Sequence, residues 1–489
     1  MSKGYVEELI GQAYEKWEPG DNVMILAGTG KGKSHFIKTV LNRHCRNTKK
    51  RVLLLTNRDI LKNQVRKDLG LNTIITVENY QKIESMILDD KAFRDYDYIV
   101  MDECHYFFTD SAFNIKTDIF FKWMLDNNEV CKIFMTATPF VLMQYFKLHG
   151  IEVKHKYELK TNYDYLSNIY MFDDYKTIDG IIESIPKDEQ ILFISRSAKR
   201  AYEVSKKFKG AFICSKHNGQ FNDFINQEEL DNIIKKSIFK SRLLCATTVL
   251  DNGINIKEFS KVKHVIIDIF DRDIFIQCLG RKRIGQGETV TLYFKNYNGK
   301  QVNGFKSKLV HGLKLADILK ELGEEEYVKK SFKNDMFYKY NSKIIDEIWD
   351  NDKDAGRKVI NDCMYHKYQC DLGVCNSILN NPHKFSFKDL ILNELGIEKG
   401  RIIDMEVVTK VLSTEEMLES VTGERLHKEE QKELVEFIGL KDARGRLQKS
   451  VGQLNEYLKA NKIQYVIISK QIKINNKRTT VWIVEKLIE

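Results

Sequence analysis

The 489 residues predict two α/β domains in tandem, each built on a parallel sheet, then a mostly helical region and a basic C-terminal module of helices and a hairpin. Three observations carry this. Short apolar runs alternate with amphipathic segments from Asn22 to about Phe140, and the rhythm resumes after a Tyr/Lys-rich connection around residues 141–173. Beyond about residue 300 the strand pattern gives way to helices. Late in the chain the charge changes sign, with 6 Lys+Arg against 12 Asp+Glu over residues 391–440 and 10 against 2 over residues 441–480. Repeated strand–helix–strand is the signature of a parallel sheet covered by helices on both faces, and the sign change marks a compact basic module.

Taken in order, strands are expected at Val23–Leu26, Arg51–Leu55, Tyr98–Met101 and Lys132–Met135, with helices such as Ser34–Arg46 and Ile60–Leu69 between them. The second set is Gln190–Ser195, Ala211–Ser215, Arg242–Thr247, Lys263–Asp268 and Thr289–Phe294, spaced by Ala198–Phe208 and Gln227–Lys236. Helical segments near 414–422 and 427–437 and a helix through Leu447, Val451, Leu454 and Leu458 precede two β-rich runs, Gln464–Ile472 and Thr479–Val484. That order resembles a winged helix, as would a generic α+β cap. The expected domains are 1–145, 160–300, 301–400 and 401–489.

Composition narrows the class. Apolar residues at 43% and charged residues at 30% describe a globular chain able to bury a core, and four prolines exclude Pro-rich linkers or stalks. Nine cysteines, an odd number scattered singly, argue against a disulfide framework. Residues 1–17 lack an apolar signal core and no later run approaches 18 apolar residues, so a cytoplasmic protein outside the membrane is expected. The net charge of +9 permits an anionic partner without requiring one.

The strongest local signal is Ala27-Gly28-Thr29-Gly30-Lys31-Gly32-Lys33-Ser34, directly after a strand and opening a helix. Glycines let backbone N–H groups turn inward around phosphates, Lys33 can reach the β/γ-phosphates and Ser34 can ligate Mg²⁺. The second is Asp102-Glu103-Cys104-His105 at a strand end, where Asp102 is suited to holding the metal and Glu103 to polarising an attacking water.

These segments resemble the superfamily 2 helicases of the DExH group, and the resemblance runs over about residues 20–300. Ala27 is that family's usual first P-loop residue, and Asp102-Glu103-Cys104-His105 matches the box that names the group. By the same resemblance, His105, Thr136 and Thr138 couple nucleotide state to nucleic-acid grip, and Thr56, Arg58 and Thr76–Gln81 touch the sugar-phosphate backbone. Ser195-Arg196-Ser197 is similar to the fourth motif, with Arg196 toward nucleic acid. The run Thr247 to Asn255 is similar to the fifth, with Thr247 on a phosphate and Gly253 and Asn255 at the ATP cleft. Gln277-Cys278-Leu279-Gly280-Arg281 opens the sixth, where Gln277 faces the attacking water and arginine approaches the γ-phosphate.

One departure stands out. The family's second arginine falls on Ile284, so Arg281 is the preferred arginine finger, with Arg283 as a possible substitute. The resemblance implies two RecA-like domains, ATP and Mg²⁺ as cofactors, and a nucleic-acid partner, DNA favoured over RNA. Phage or mobile-element replication or recombination is the implied setting. A nucleotide-gated binding protein with negligible hydrolysis is the competing reading.

Two weaker features remain. Cys363, His366, Cys370 and Cys375 supply four potential zinc ligands within 13 residues. Three of them also fall at helical intervals, which would make them a buried helix face. Gln12, upstream of the P-loop, is a candidate reader of the adenine edge.

Overall fold

The structure is a computed structural model. It describes residues 4–28, 30–57, 59–70, 73–89, 95–109, 117–248, 255–333, 343–350, 355–382, 384–442, 446–474 and 477–487. The chain divides into two compact units, Met1–Ile169 with Pro186–Arg401, and Tyr170–Ile185 with Ile402–Glu489.

The first unit opens with a six-stranded sheet of β1 (Asn22–Ala27), β2 (Val52–Thr56), β3 (Ile75–Asn79), β4 (Tyr98–Asp102), β5 (Cys131–Thr136) and β6 (His155–Leu159), in the order β3-β2-β4-β5-β1-β6. Every pairing is parallel. Because strand side chains alternate between faces, Met24, Leu26, Leu53, Leu55, Ile99 and Met101 enter one apolar cluster. Val23, Ile25, Val52, Leu54 and Val100 enter the cluster on the opposite face. Burial on both faces explains the nearly continuous apolar runs by which these strands are legible.

The second sheet begins with β7 (Leu166–Phe172), whose start is tied to Val290 by Ser167 Oγ and by the Tyr165 carbonyl. It continues through β8 (Gln190–Ser195), β9 (Ala211–Ile213), β10 (Leu243–Ala246), β11 (Val262–Asp268) and β12 (Val290–Lys295), with the parallel order β12-β11-β8-β10-β9. Two parallel α/β domains in tandem, the RecA-like arrangement, are therefore present. The Tyr/Lys-rich connection is itself structured, holding the helix Phe140–Leu148, β6 and β7.

Helices dominate after residue 300, as expected, beginning with Gly299–Lys333, which is kinked at Gly323. The expectation that strands cease is corrected by an antiparallel hairpin, β13 (Ile345–Asp350) with β14 (Ala355–Ile360). Its strands read as polar because Glu347 faces Lys358 across the ladder and the two side chains pair. The helix Asp362–Asn380 follows, capped by the Asn361 side chain.

In the second unit, after the short β15 (Ile402–Asp404), come the helices Met405–Ser420, Lys428–Ile438 and Val451–Ala460. A hairpin of β16 (Tyr465–Ile474) and β17 (Lys477–Lys486) closes the chain. Leu426, between the first two helices, exchanges backbone bonds with Trp482 at 2.8 and 3.0 Å. Leu418, Leu434, Ile438, Leu454, Leu458, Ile467 and Val484 form the core. The order is thus a helix, the extended residue Leu426 paired with the hairpin, two further helices and the hairpin itself. The helix Thr177–Ser184 belongs to the same unit, where Glu406 accepts hydrogen bonds from the backbone of Asp173 and Asp174 and from Thr177 Oγ1. No helix among the described residues is long and apolar enough to cross a membrane.

Candidate nucleotide site

Three neighbouring strands, β4, β5 and β1, end side by side and deliver three polar segments to one edge of the first sheet. Chain reversal into a helix needs a loop at each carboxyl end, and ligands of open α/β sheets bind there. After β1, Gly30 and Gly32 adopt φ of 79° and 83°, left-handed values that side chains resist. The helix beginning at Lys33 follows at once. Lys33 is buried, with Nζ donating to the carbonyls of Ala27 at 2.7 Å and Gly28 at 3.3 Å. Thr29 lies outside the described residues; Lys31 accepts a bond from Val6 N at 3.0 Å through its carbonyl.

Ser34 Oγ stands 3.3 Å from Asp102 Oδ2. Burial, then the charge of Glu103, pushes the Asp102 carboxyl up to about 6. Burial acts on Glu103 in the same direction, but Lys33, His105, Arg281 and Arg283 outweigh it and hold this carboxyl below its usual range. Glu103 also has φ of 52°, a strained conformation for a side-chain-bearing residue. A hydroxyl beside a half-buried carboxylate fits Mg²⁺, which keeps few protein ligands and completes its shell with water and phosphate oxygens.

From this pair a chain of polar contacts runs to the second domain. His105 Nδ1 is 3.4 Å from Glu103 Oε2 and 3.3 Å from Thr136 Oγ1. Thr136 Oγ1 accepts from Thr138 N at 3.0 Å, and Thr138 Oγ1 accepts from Gln277 Nε2 at 3.1 Å. Burial depresses the His105 pKa to about 4, so its ring is neutral at pH 7 and can accept as well as donate.

Gln277 sits on the helix Arg272–Leu279, beyond which Ile256 pairs with the chain: its N–H bonds the Arg281 carbonyl and its carbonyl accepts from Arg283 N, both at 2.8 Å. That bridge turns both arginines inward. Arg283 Nη1 is buried with no hydrogen-bond partner among the described residues and lies 3.7 Å from the point a Cβ on Gly30 would occupy. Burial, then Arg281, weighs against its charge. Arg281, also buried, acts on Glu103 and His105. The one-residue displacement from Ile284 thus leaves an arginine facing the P-loop.

The residues expected on nucleic acid are spread along the sheet edges. Thr56 ends β2 and is buried, its hydroxyl 3.5 Å from Asn79 Oδ1. Arg196 follows β8, exposed, with its N–H on the Asp268 carbonyl. Thr247 follows the adjacent β10. Arg58 and Gly253 lie outside the described residues; Asn255 is half-buried beside Ile256. Gln12 is exposed before a short 3₁₀ turn.

Cys363, His366, Cys370 and Cys375 all lie on the helix Asp362–Asn380. Cys363 joins the first domain's core, and His366 Nε2 is committed to the Val141 carbonyl at 3.1 Å with Cys370 Sγ 3.4 Å away. Cys363, His366 and Cys375 are buried and Cys370 is half-buried, an exposure pattern that suits a helix face turned to the core.

Two neighbours of the P-loop escaped sequence reasoning. A Cβ on Gly28 would collide with Thr161 Oγ1, and one on Gly32 would meet Tyr5 at 3.4 Å. Nothing in either local sequence signals the contact, which comes from the fold.

Among known proteins, the family model described as the flavivirus DEAD domain matches residues 59–146, a span that includes Asp102 to His105 and Thr136 to Thr138. No curated protein sequence matches. Solved structures similar to the chain include S. cerevisiae Dbp5 bound to RNA and ADP BeF3, at 15% identity and TM-score 0.42, over 56% of this chain and 79% of that one. A variant of the same protein, also bound to RNA and ADP BeF3, shares 13% identity at TM-score 0.43, over 58% and 83%. The Escherichia coli DEAH/RHA helicase HrpB shares 13% identity at TM-score 0.43, over 62% of this chain and 44% of that one.

Proposed function

We propose that the chain is an ATP- and Mg²⁺-dependent nucleic-acid helicase or translocase. The observation that carries this reading is the unbroken polar chain from Ser34 and Asp102 through Glu103, His105, Thr136 and Thr138 to Gln277. It joins a phosphate-binding loop on one domain to a side chain of the next, so nucleotide state and interdomain geometry are coupled through named contacts.

In this reading the P-loop backbone cradles the phosphates, and Lys33 moves from its own loop carbonyls to the β/γ-phosphates. Ser34 and Asp102 would hold the metal, which when bound neutralises developing charge on the phosphate oxygens. Glu103, kept ionised by four cationic or polar neighbours, accepts a proton from the attacking water, and Gln277 orients that water. Arg281 and Arg283 stabilise the transition-state charge. An arginine directed at the P-loop favours this reading over a binding protein with negligible hydrolysis.

The second unit supports DNA as the partner. Lys449, Lys459, Lys462, Lys470, Lys473 and Arg478 are exposed on a module with winged-helix order, which suits phosphate and groove contacts on a duplex. Arg444 lies outside the described residues.

The test is ATP hydrolysis with single-stranded DNA, duplex DNA and RNA as stimulators. Lys33→Ala and Glu103→Gln should each lower the stimulated rate by about 10³-fold or more. Full turnover in either variant overturns the site, and stimulation by RNA alone overturns the preference for DNA.

A further inference from the structure

One helix of the region after residue 300 grips both halves of the nucleotide site. On the first domain, the capping residue Asn361 donates through Nδ2 to Thr117 Oγ1 at 3.2 Å. Asp362 N donates to Asp118 Oδ2 at 3.3 Å, and Lys122 pairs with the Asp362 carboxylate. Cys363 is packed into the first sheet's core, and His366 reaches the Val141 carbonyl.

The very next residue turns to the second domain. Lys367 Nζ lies 2.7 Å from Asp271 Oδ2 and 3.2 Å from Asp371. Asp271 divides its carboxylate: Oδ2 takes Lys367 while Oδ1 accepts the N–H groups of Asp273 and Ile274, capping the helix Arg272–Leu279. That helix carries Gln277 and leads to Arg281 and Arg283. Its first residue, Arg272, stacks over the Phe140 ring of the first domain with 3.9 Å to the centroid.

Packing alone does not account for Lys367. A buried charge pair pays a desolvation penalty that apolar residues of the same volume avoid, and Lys367 is 8% exposed. What the pair supplies is direction, because one cation fixed to the first domain's helical neighbour defines where the second domain's cap must sit. Burial would raise the Asp271 carboxyl, yet Lys367 outweighs it and leaves it at about 2, so the contact stays ionic at working pH.

We infer that Lys367 is a positioning residue of the ATPase: by holding the Asp271 cap against a helix anchored in the first domain, it aligns Gln277, Arg281 and Arg283 with the P-loop. The inference rests on the ATP reading above. It makes the region after residue 300 part of the engine that aligns catalytic groups.

The test compares the full-length wild type with Lys367→Met, Lys367→Arg, the double variant Lys367→Met/Asp271→Ser, and Lys33→Ala. Hydrolysis is measured without nucleic acid and with poly(dT) and poly(U), alongside mant-ATP affinity and the thermal midpoint. Lys367→Met should lower kcat at least tenfold with mant-ATP affinity within about twofold of wild type, and Lys367→Arg should recover most of the loss. The double variant removes the buried pair while the introduced serine hydroxyl preserves a cap, and the Asp371 carboxylate it leaves without Lys367 is about a third exposed and can be hydrated, so it separates alignment from an uncompensated buried charge; it should fold and still show the tenfold loss. A kcat within twofold of wild type in that variant, with Lys33→Ala inactive, overturns the inference while leaving the ATP reading intact. Loss of mant-ATP binding in parallel with kcat, without recovery by arginine, also overturns it in favour of a purely structural role. Turnover surviving in Lys33→Ala overturns the ATP reading itself, and the inference with it.

Discussion

Asp102 and Asp268 occupy equivalent places, each the last residue of an interior strand in a parallel sheet, yet their surroundings differ. Asp268 is saturated: Oδ2 accepts from Ser195 Oγ at 2.8 Å and Arg200 Nη1 at 2.6 Å, and Oδ1 accepts from Tyr297 OH at 2.9 Å. Among the described residues, Asp102 takes one side-chain hydrogen bond, from Ser34 Oγ at 3.3 Å, and has a second carboxylate beside it. The same architecture therefore yields a structural knot on one sheet and a charged, under-bonded edge on the other. Topology selects where a site can lie; the hydrogen-bond inventory decides whether chemistry is available there.

The sharpest way to break the comparison is through what the second sheet lends to the first. With Arg283 facing Gly30, Arg283→Ala should lower kcat by about 10³-fold and Arg281→Ala by about 10²-fold, both without loss of ATP binding. Arg283→Lys should recover little, since a point charge does not reproduce the guanidinium fork. Steady-state kinetics decide it. A larger effect at Arg281 would reassign the finger to the position the family pattern favours.

Next comes the saturated carboxylate. Asp268→Asn keeps the volume but leaves Arg200 facing a neutral group inside a bonded knot, so unfolding free energy should fall by about 2–3 kcal/mol. Nucleotide affinity should change less than twofold. Chemical denaturation and mant-ATP titration measure the two, and a loss of turnover exceeding the loss of stability would move Asp268 into the site.

Much of this contrast is legible in the sequence. The strands ending at Ala27, Asp102 and Thr136 are buried on both faces, so they read as apolar runs, and the polar residues that follow each run mark the sheet's edge. What could not be read had other physical causes. Strand β6 exposes alternate residues and β13 pairs charge with charge, so both resemble surface loops in sequence. The contacts of Thr161 with Gly28 and of Lys367 with Asp271 join residues far apart in the chain, and no local pattern records them. The four Cys/His residues near 363–375 showed the reverse problem: spacing alone serves a metal or a helix face, and the sheet core into which Cys363 packs supports the helix face.

A third carboxylate sharpens the lesson with the smallest effect. Asp346, on β13, accepts one bond from Asn361 Nδ2 at 3.3 Å, and burial, with Asp118 adding to it, pushes its pKa up to about 6. Among the described residues it takes as few side-chain bonds as Asp102, but it lies on the hairpin and not beside a phosphate-binding loop. The folded state therefore binds this proton more tightly than the unfolded chain does. Stability tied to Asp346 is present below about pH 4, declines as pH rises to about 6, and stays lost above that. Asp346→Asn keeps the acceptor for Asn361 and removes the buried charge. The variant should be more stable than wild type at pH 7 by about 1–2 kcal/mol, the penalty of the buried charge discounted for partial hydration. At pH 4 the advantage should vanish, and ATP turnover at pH 7 should be unchanged. Thermal midpoints across that range test the sign. An advantage independent of pH would mean that packing, and not the charge, separates the two side chains.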